Sequence, residues 1–112
     1  MANISLKMKK QRAALTRDEI LNVIRKHRDI LAKYKVREIG LFGSFVRDEQ
    51  EDRSDIDLFV DFEEPSIENF MGLSSFFEKL FGKKVEILTP AGVDSIRIKC
   101  IKEEIKRSIV YA

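Results

Sequence analysis

The segment from position 55 to position 62 constrains the fold most, because apolar and acidic residues alternate along it. Its even-numbered positions are all apolar: Ile56, Leu58, Val60 and Phe62. Its odd-numbered positions carry three carboxylates and one aromatic ring: Asp55, Asp57, Asp61 and Phe59. Side chains two residues apart project from the same face of a β-strand. The segment therefore predicts a strand with one face for a core and another that gathers carboxylates.

The rest of the chain predicts helices and strands around this one. A capping box that begins at Thr16 predicts the first helix, and Ser66 and Gly82 predict the start and the stop of a later helix. The predicted elements are a helix at about 17–35, strands at 36–42 and 55–62, a helix at 66–82, a strand at 84–88 and a helix at 93–110. This order indicates an α/β or α+β domain and leaves the order of strands in the sheet open.

The helix at 66–82 carries an apolar stripe that is typical of a core-facing helix. Its members are Ile67, Phe70, Met71, Leu73, Phe77 and Leu80. We predict core packing for this stripe; the alternative is that part of it forms a homodimer or partner surface.

With 112 residues, the chain fits one compact domain, which we place at 16–112 behind a basic N-terminal tail at 1–15. No apolar run is long enough to span a bilayer and no signal peptide is recognisable, so we expect a cytoplasmic protein. The single cysteine, Cys100, is expected to pack, and His27 is expected to be a surface or packing residue. The net charge of +2 and the lack of aromatic residues among the basic ones argue against nucleic acid as a direct partner.

The most specific motif is a Gly-Ser pair, Gly43 and Ser44, followed after ten residues by Asp55-Ile56-Asp57. Asp55 and Asp57 share a strand face and can converge on one Mg²⁺, a cation that proteins typically share with substrate phosphates. Gly43 permits close approach of the backbone, and Ser44 offers a hydroxyl to a phosphate oxygen. The motif therefore predicts a magnesium and nucleoside triphosphate site.

Two further residues are candidates for the same site. Glu86 lies between apolar residues in the strand at 84–88, and a third carboxylate there would help to activate an incoming hydroxyl. Arg47 could offset the charge of a leaving pyrophosphate. The alternatives are an exposed strand carboxylate for Glu86 and a plain surface arginine for Arg47.

These residues resemble the minimal nucleotidyltransferases of the DNA polymerase β superfamily, with the segments IGLFGS, DIDLFVDF and KVEIL in order. The resemblance runs from about Thr16 to the end of the chain. It implies a small mixed sheet backed by helices, ATP with Mg²⁺, metal ligands at Asp55, Asp57 and Glu86, and nucleotide binding by Gly43, Ser44 and Arg47. The third acid of the family is commonly aspartate, so Glu86 departs from the pattern by one methylene.

The resemblance also implies a partner, because such proteins frequently pair with a HEPN-domain toxin. The implied reaction is transfer of AMP to a tyrosine of that toxin, which would make this chain an antitoxin. Two alternatives stay open: transfer to a small hydroxylated compound such as an aminoglycoside, and a non-catalytic protein that neutralises a toxin by binding it.

Overall fold

The computed structural model describes residues 15–47 and 54–112, which form five helices, a 3₁₀ turn and four strands. In chain order they are α1 (Arg17–Lys26), α2 (Arg28–Lys33), β1 (Val36–Phe42), the 3₁₀ turn (Gly43–Phe45), β2 (Ile56–Phe62), α3 (Ile67–Phe81), β3 (Val85–Leu88), α4 (Pro90–Asp94), α5 (Lys99–Ser108) and β4 (Val110–Tyr111). The predicted basic tail lies outside the described residues apart from Leu15, and it stays a prediction.

The four strands form one mixed sheet in the order β3-β2-β1-β4. β2 pairs with β1 in the antiparallel sense and with β3 in the parallel sense, and β4 pairs antiparallel with the other edge of β1. The long β2, with its alternating sequence, therefore occupies the interior of the sheet. The predicted fold class, a small mixed sheet backed by helices, is confirmed.

The core lies on the face of the sheet that carries the even-numbered residues of β2. Their side chains are almost fully buried, as the alternation predicted. α1 and α3 cover this face with Ile20, Leu21, Ile24, Leu73 and Phe77, and Phe45 of the 3₁₀ turn is buried with them. The side chains of Asp57, Phe59 and Asp61 therefore project from the opposite face of the sheet.

The first helix begins as predicted and ends earlier. Thr16 caps α1 through its side chain, and Glu19 completes the capping box. The single helix predicted at 17–35 is wrong, because His27 separates α1 from α2. The imidazole Nδ1 lies 2.7 Å from the carbonyl oxygen of Val23, and the ring packs edge-on against Phe76 of α3 at 5.3 Å. His27 is thus a packing residue, one of the two roles expected for it.

The apolar stripe of α3 is only partly a core surface. Leu73 and Phe77 are fully buried, whereas Ile67 is 81% exposed and Met71 is 58% exposed. At 100° per residue, Ile67 and Met71 project well away from the direction of Leu73. Leu80 points with the core side but lies in the last turn and stays 42% exposed. The prediction of core packing is therefore wrong for these three residues.

The helix predicted at 93–110 is also wrong. The Thr89 hydroxyl caps a short α4 that starts with Pro90, and the chain then forms a separate α5 and β4. Gly40 of β1 lets β4 lie alongside, since a β-carbon there would approach Ile109 Cγ2 to 2.6 Å. α5 buries no residue, and Cys100 on it is exposed, which contradicts the packing expected for that thiol. In the part of the chain described, no helix is long and apolar enough to cross a membrane.

Candidate active site

The Gly-Ser turn and the acidic strand meet at Gly43 and Asp57. Gly43 follows β1 as the first residue of the 3₁₀ turn and has φ +82°, a left-handed conformation that favours glycine. A β-carbon at this position would overlap Asp57 Oδ2 and crowd the rest of that carboxyl group. The absence of a side chain at Gly43 therefore allows the turn to lie directly against the carboxylate, and the two halves of the sequence motif form one site.

The sheet register places Asp57 in the middle of this site. Asp57 is opposite Phe42 of β1 on one side and opposite Glu86 of β3 on the other. Residues opposite each other in adjacent strands project from the same face, so Asp57 and Glu86 lie side by side. Asp55 precedes the first residue of β2 and is half-buried. The strand pairing thus brings Glu86 to the face predicted for it.

The pKa of Asp57 is consistent with the same arrangement of charged residues. The pKa of Asp57 is raised from its ordinary value of 3.8 to about 6, first by burial and then by the charges of Glu86 and Asp55. The charge of Arg47 acts in the opposite direction and lowers the pKa. All four charged residues singled out in the sequence therefore interact, with Asp57 at their centre.

The three acids do not form a finished metal cage. Glu86 Oε1 lies 3.7 Å from Lys84 Nζ, and the Glu86 side chain is 55% exposed. Among residues 15–47 and 54–112, no three His, Cys, Asp or Glu side chains converge closely enough to hold a metal ion. The assignment of Asp55, Asp57 and Glu86 as a common ligand set stays a prediction.

The donor chemistry nevertheless fits Mg²⁺. Carboxylate oxygens are the ligands that this hard cation takes from proteins, usually one or two of them beside substrate phosphates and water. The raised pKa of Asp57 reflects burial and repulsion among carboxylates, and a divalent cation would offset that repulsion. Two aspartates with a third acid alongside are therefore suited to hold the ion together with a nucleotide.

Ser44 and Arg47 follow Gly43 in the segment after β1. Ser44 is the central residue of the 3₁₀ turn, which the Val46 N–H closes by donating to the Gly43 carbonyl at 3.1 Å. The fully buried ring of Phe45 anchors the turn to the core. Arg47 is exposed and close enough to influence Asp57. Their roles toward phosphate stay predictions, and residues 48–53 lie outside the described part of the chain.

Sequence reasoning missed Lys84, the ion-pair partner of Glu86. A signal for it was present, because residues two apart in an extended segment share a face, and Lys84 and Glu86 have that spacing. The pairing matters because it provides Glu86 with a competing partner in the absence of a cation.

Comparison with known proteins decides the family. Residues 24–111 match the nucleotidyltransferase domain. This chain belongs to that family. The “Putative protein adenylyltransferase MJ1379” of Methanocaldococcus jannaschii is 41% identical over 100 residues, which cover 86% of this chain and 97% of the relative. “Protein adenylyltransferase MntA” of Thermococcus cleftensis is 38% identical over 101 residues, which cover 88% of this chain and 98% of the relative. The chain is thus a nucleotidyltransferase, as the motif resemblance implied.

Solved structures agree on the fold. The chain superposes on one described as “Structure of putative minimal nucleotidyltransferase” with a TM-score of 0.61 and 26% identity, covering 80% of this chain and 93% of that one. It also superposes on a chain from “Crystal structure of the toxin-antitoxin with AMP-PNP” with a TM-score of 0.58, covering 78% of this chain and 69% of that one. At 19% identity, the second match concerns the fold alone.

Proposed function

We propose that this chain is a Mg²⁺-dependent protein adenylyltransferase that transfers AMP from ATP to a tyrosine hydroxyl of a HEPN-domain toxin. The observation that carries the proposal is the contact between Gly43 and the Asp57 carboxylate, with Glu86 in register beside it. It supports a nucleotide-transfer site because a phosphate chain can approach the carboxylates only where no side chain intervenes. The relatives named as protein adenylyltransferases support a protein acceptor.

The residues divide the work of the reaction. Asp55 and Asp57, with Glu86, would hold Mg²⁺, which when bound neutralises phosphate charge and makes the acceptor hydroxyl easier to deprotonate. The Ser44 hydroxyl donates a hydrogen bond to the phosphates, and Arg47 offsets charge on the departing pyrophosphate. The acceptor hydroxyl loses its proton to water and its oxygen forms a bond to the α-phosphorus. The bond from that phosphorus to the oxygen shared with the β-phosphate breaks, and pyrophosphate leaves.

Glu86 has the additional task of orienting the acceptor. It lies at the edge strand of the sheet and is exposed, so a hydroxyl from another protein can reach it. The relatives described as protein adenylyltransferases support another protein as the source of that hydroxyl, and we propose a toxin as that protein. We place the reaction in the cytoplasm, where ATP and Mg²⁺ are available, and we propose that AMP transfer is how the antitoxin acts.

The test is intact-mass spectrometry of the partner toxin after incubation with this chain, ATP and Mg²⁺. Wild type is expected to increase the toxin mass by AMP, and Asp57→Asn is expected to add none. Asp61→Asn is the matched control, because Asp61 lies on the same face of β2 but pairs with Arg37 at 3.6 Å. Neutralisation of the toxin by Asp57→Asn without any AMP transfer would instead establish a non-catalytic antitoxin. Transfer to a small hydroxylated compound alone would replace the protein acceptor.

A further inference from the structure

A second feature lies on the same face of the sheet as Asp57. It is a cavity of about 360 Å³ between Phe59 of β2 and the segment formed by α4, α5 and β4. Its apolar lining consists of Phe59, Pro90, Val93, Ile109 and Tyr111. The volume falls within the range of small-ligand pockets, roughly 300–1,000 Å³. None of these residues belongs to the Gly-Ser and Asp-x-Asp motif.

The sheet register fixes where this cavity lies relative to the carboxylates. Phe59 follows Asp57 by two residues on β2, so the two side chains project from one face about 7 Å apart along the strand. Phe59 is opposite Gly40 of β1, and Gly40 is opposite Tyr111 of β4. Because Gly40 has no side chain, the two rings come together across it, with centroids 6.3 Å apart in an edge-to-face arrangement.

We propose that this cavity binds the adenine base of the ATP whose phosphates occupy the Gly43 and Asp57 site; the inference rests on the proposed function. The order of features along the sheet face matches the order of groups in the nucleotide. The Gly43–Ser44 turn would contact the terminal phosphates, Asp57 lies next, and the aromatic cavity follows. The base of a nucleoside triphosphate lies beyond the α-phosphate in the same direction.

The chemistry of the lining suits a purine. Aromatic side chains stack on nucleobases, and Tyr111 is 46% exposed, so its ring is accessible to a ligand. Asp94 lies on the rim, where its Oδ1 is 3.7 Å from Lys102 Nζ and 3.8 Å from Lys106 Nζ. A carboxylate has about four acceptor positions, so Asp94 can also accept a hydrogen bond from the exocyclic amine of adenine. Guanine presents a carbonyl oxygen at the equivalent position, which Asp94 would disfavour.

The test is calorimetric titration of two ligands, Mg²⁺-ATP and Mg²⁺-tripolyphosphate, into the full chain. Tripolyphosphate has the phosphates and lacks the base, so the two ligands separate the two halves of the site. Tyr111→Ala is expected to raise the Kd for ATP roughly tenfold and to leave the Kd for tripolyphosphate within about twofold. Tyr111→Phe retains the ring and is expected to bind both ligands like wild type.

The result that overturns the inference is an unchanged ATP affinity in Tyr111→Ala, or an equal loss for both ligands. If ATP affinity is unchanged while the variant transfers AMP to the toxin more slowly, the cavity serves the acceptor and not the base. This outcome can be distinguished from failure of the proposed function. If the phosphates bind at Asp57, Asp57→Asn abolishes binding of both ligands, whatever the result for Tyr111→Ala.

A second variant tests the choice of base. Asp94→Asn replaces a pure acceptor with an amide that can also donate to the carbonyl of guanine. Wild type is expected to bind ATP severalfold more tightly than GTP. In Asp94→Asn the ratio of the Kd for GTP to the Kd for ATP is expected to be smaller. A preference for ATP that persists unchanged in Asp94→Asn would remove Asp94 from the base site.

Discussion

Position 43 meets two requirements that only glycine satisfies together: a φ of +82° and a carboxylate where a β-carbon would be. We therefore expect Gly43→Ala to be destabilised by about 1–2 kcal/mol, the cost of a left-handed conformation for a residue with a β-carbon. The added methyl group also has to displace Asp57. A misplacement of about 1 Å at a reacting centre is enough to lower the rate of AMP transfer roughly a hundredfold. Urea unfolding and the mass assay measure the two effects.

Gly82 offers the matched control for that substitution. It ends α3 with φ +67°, and a β-carbon there would meet no atom within 4 Å. Gly82→Ala should lose a similar amount of stability and retain full transfer activity. If the two variants lost activity equally, the contact between Gly43 and Asp57 would have no specific role in catalysis.

The Asp57 carboxyl predicts a pH dependence of stability whose sign follows from its pKa. Its pKa is raised from the ordinary value of 3.8 to about 6, chiefly by burial and then by Glu86 and Asp55. Between these values the native state binds more protons than the unfolded state, so the free energy of unfolding falls as pH rises through the window. Without Mg²⁺, Asp57→Asn is therefore expected to be more stable than wild type at about pH 7.5 and no more stable at about pH 4.

Chemical denaturation in the presence of a chelator, repeated across this pH range, measures the effect. The matched control is Asp61→Asn, which also removes a carboxylate from the face of β2 but breaks the ion pair with Arg37. This control should show no gain in stability near neutral pH. An Asp57→Asn variant with the same pH profile as wild type would mean that neither burial nor the neighbouring carboxylates raise the pKa of Asp57 in the protein.

At the scale of secondary-structure elements, the position of β4 depends on Gly40 of the neighbouring β1. A methyl group at position 40 would approach Ile109 Cγ2 to 2.6 Å and the Val110 carbonyl oxygen to 3.0 Å. Gly40→Ala is therefore expected to displace β4 from the edge of β1. The backbone N–H of Ala112, which donates to the Ile39 carbonyl at 3.0 Å, should then exchange with solvent faster.

Hydrogen exchange of the C-terminal peptide measures that displacement, and ATP titration of the same variant shows whether the aromatic cavity depends on β4. Unchanged exchange in Gly40→Ala would mean that the sheet accommodates the methyl group by a small shift. In that case β4 would be held mainly by its backbone hydrogen bonds.

How far the sequence predicts these elements depends on where their signals come from. The alternation in β2 and the caps of α1 and α3 are local, and the structure confirms them. The interruption at His27 coincides with packing of its ring against Phe76, a residue of another helix that no local pattern brings to it. The separation of α5 from β4 likewise depends on Gly40, about 70 residues earlier in the chain.

The candidate site was predictable to a similar extent. Asp55, Asp57 and Gly43 follow from spacing and strand geometry, because i and i+2 share a face. The proximity of Glu86 to Asp57 needs the parallel pairing of β2 with β3, which the sequence left open. The ion pair of Glu86 with Lys84 and the aromatic cavity depend on side-chain positions and emerge only in three dimensions.

At the scale of the whole molecule, one face of the sheet forms the core and the other carries the candidate functional residues. One face is covered by α1 and α3 and holds the core, and the other carries Asp57 and the aromatic cavity. Burial of Asp57 and repulsion from Glu86 and Asp55 disfavour its charged form, and a bound cation would offset this cost. The molecule thus places destabilising charge on the sheet that forms its core, and ligand binding should affect the stability of the entire domain.

This linkage leads to a prediction about thermal unfolding. A ligand that binds only the native state stabilises it by about 2.7 kcal/mol at a concentration of 100 times its Kd. For a domain of this size each kcal/mol raises Tm by roughly 4–8 °C, so saturating Mg²⁺-ATP should raise Tm by about 10 °C or more. Differential scanning calorimetry of the wild type and of the double variant Asp55→Ala, Asp57→Ala tests this. The variant should show no shift, and a chelator should abolish the shift in wild type. A shift that persists in the variant would mean that ATP binds away from the carboxylates, and the proposed site would be wrong.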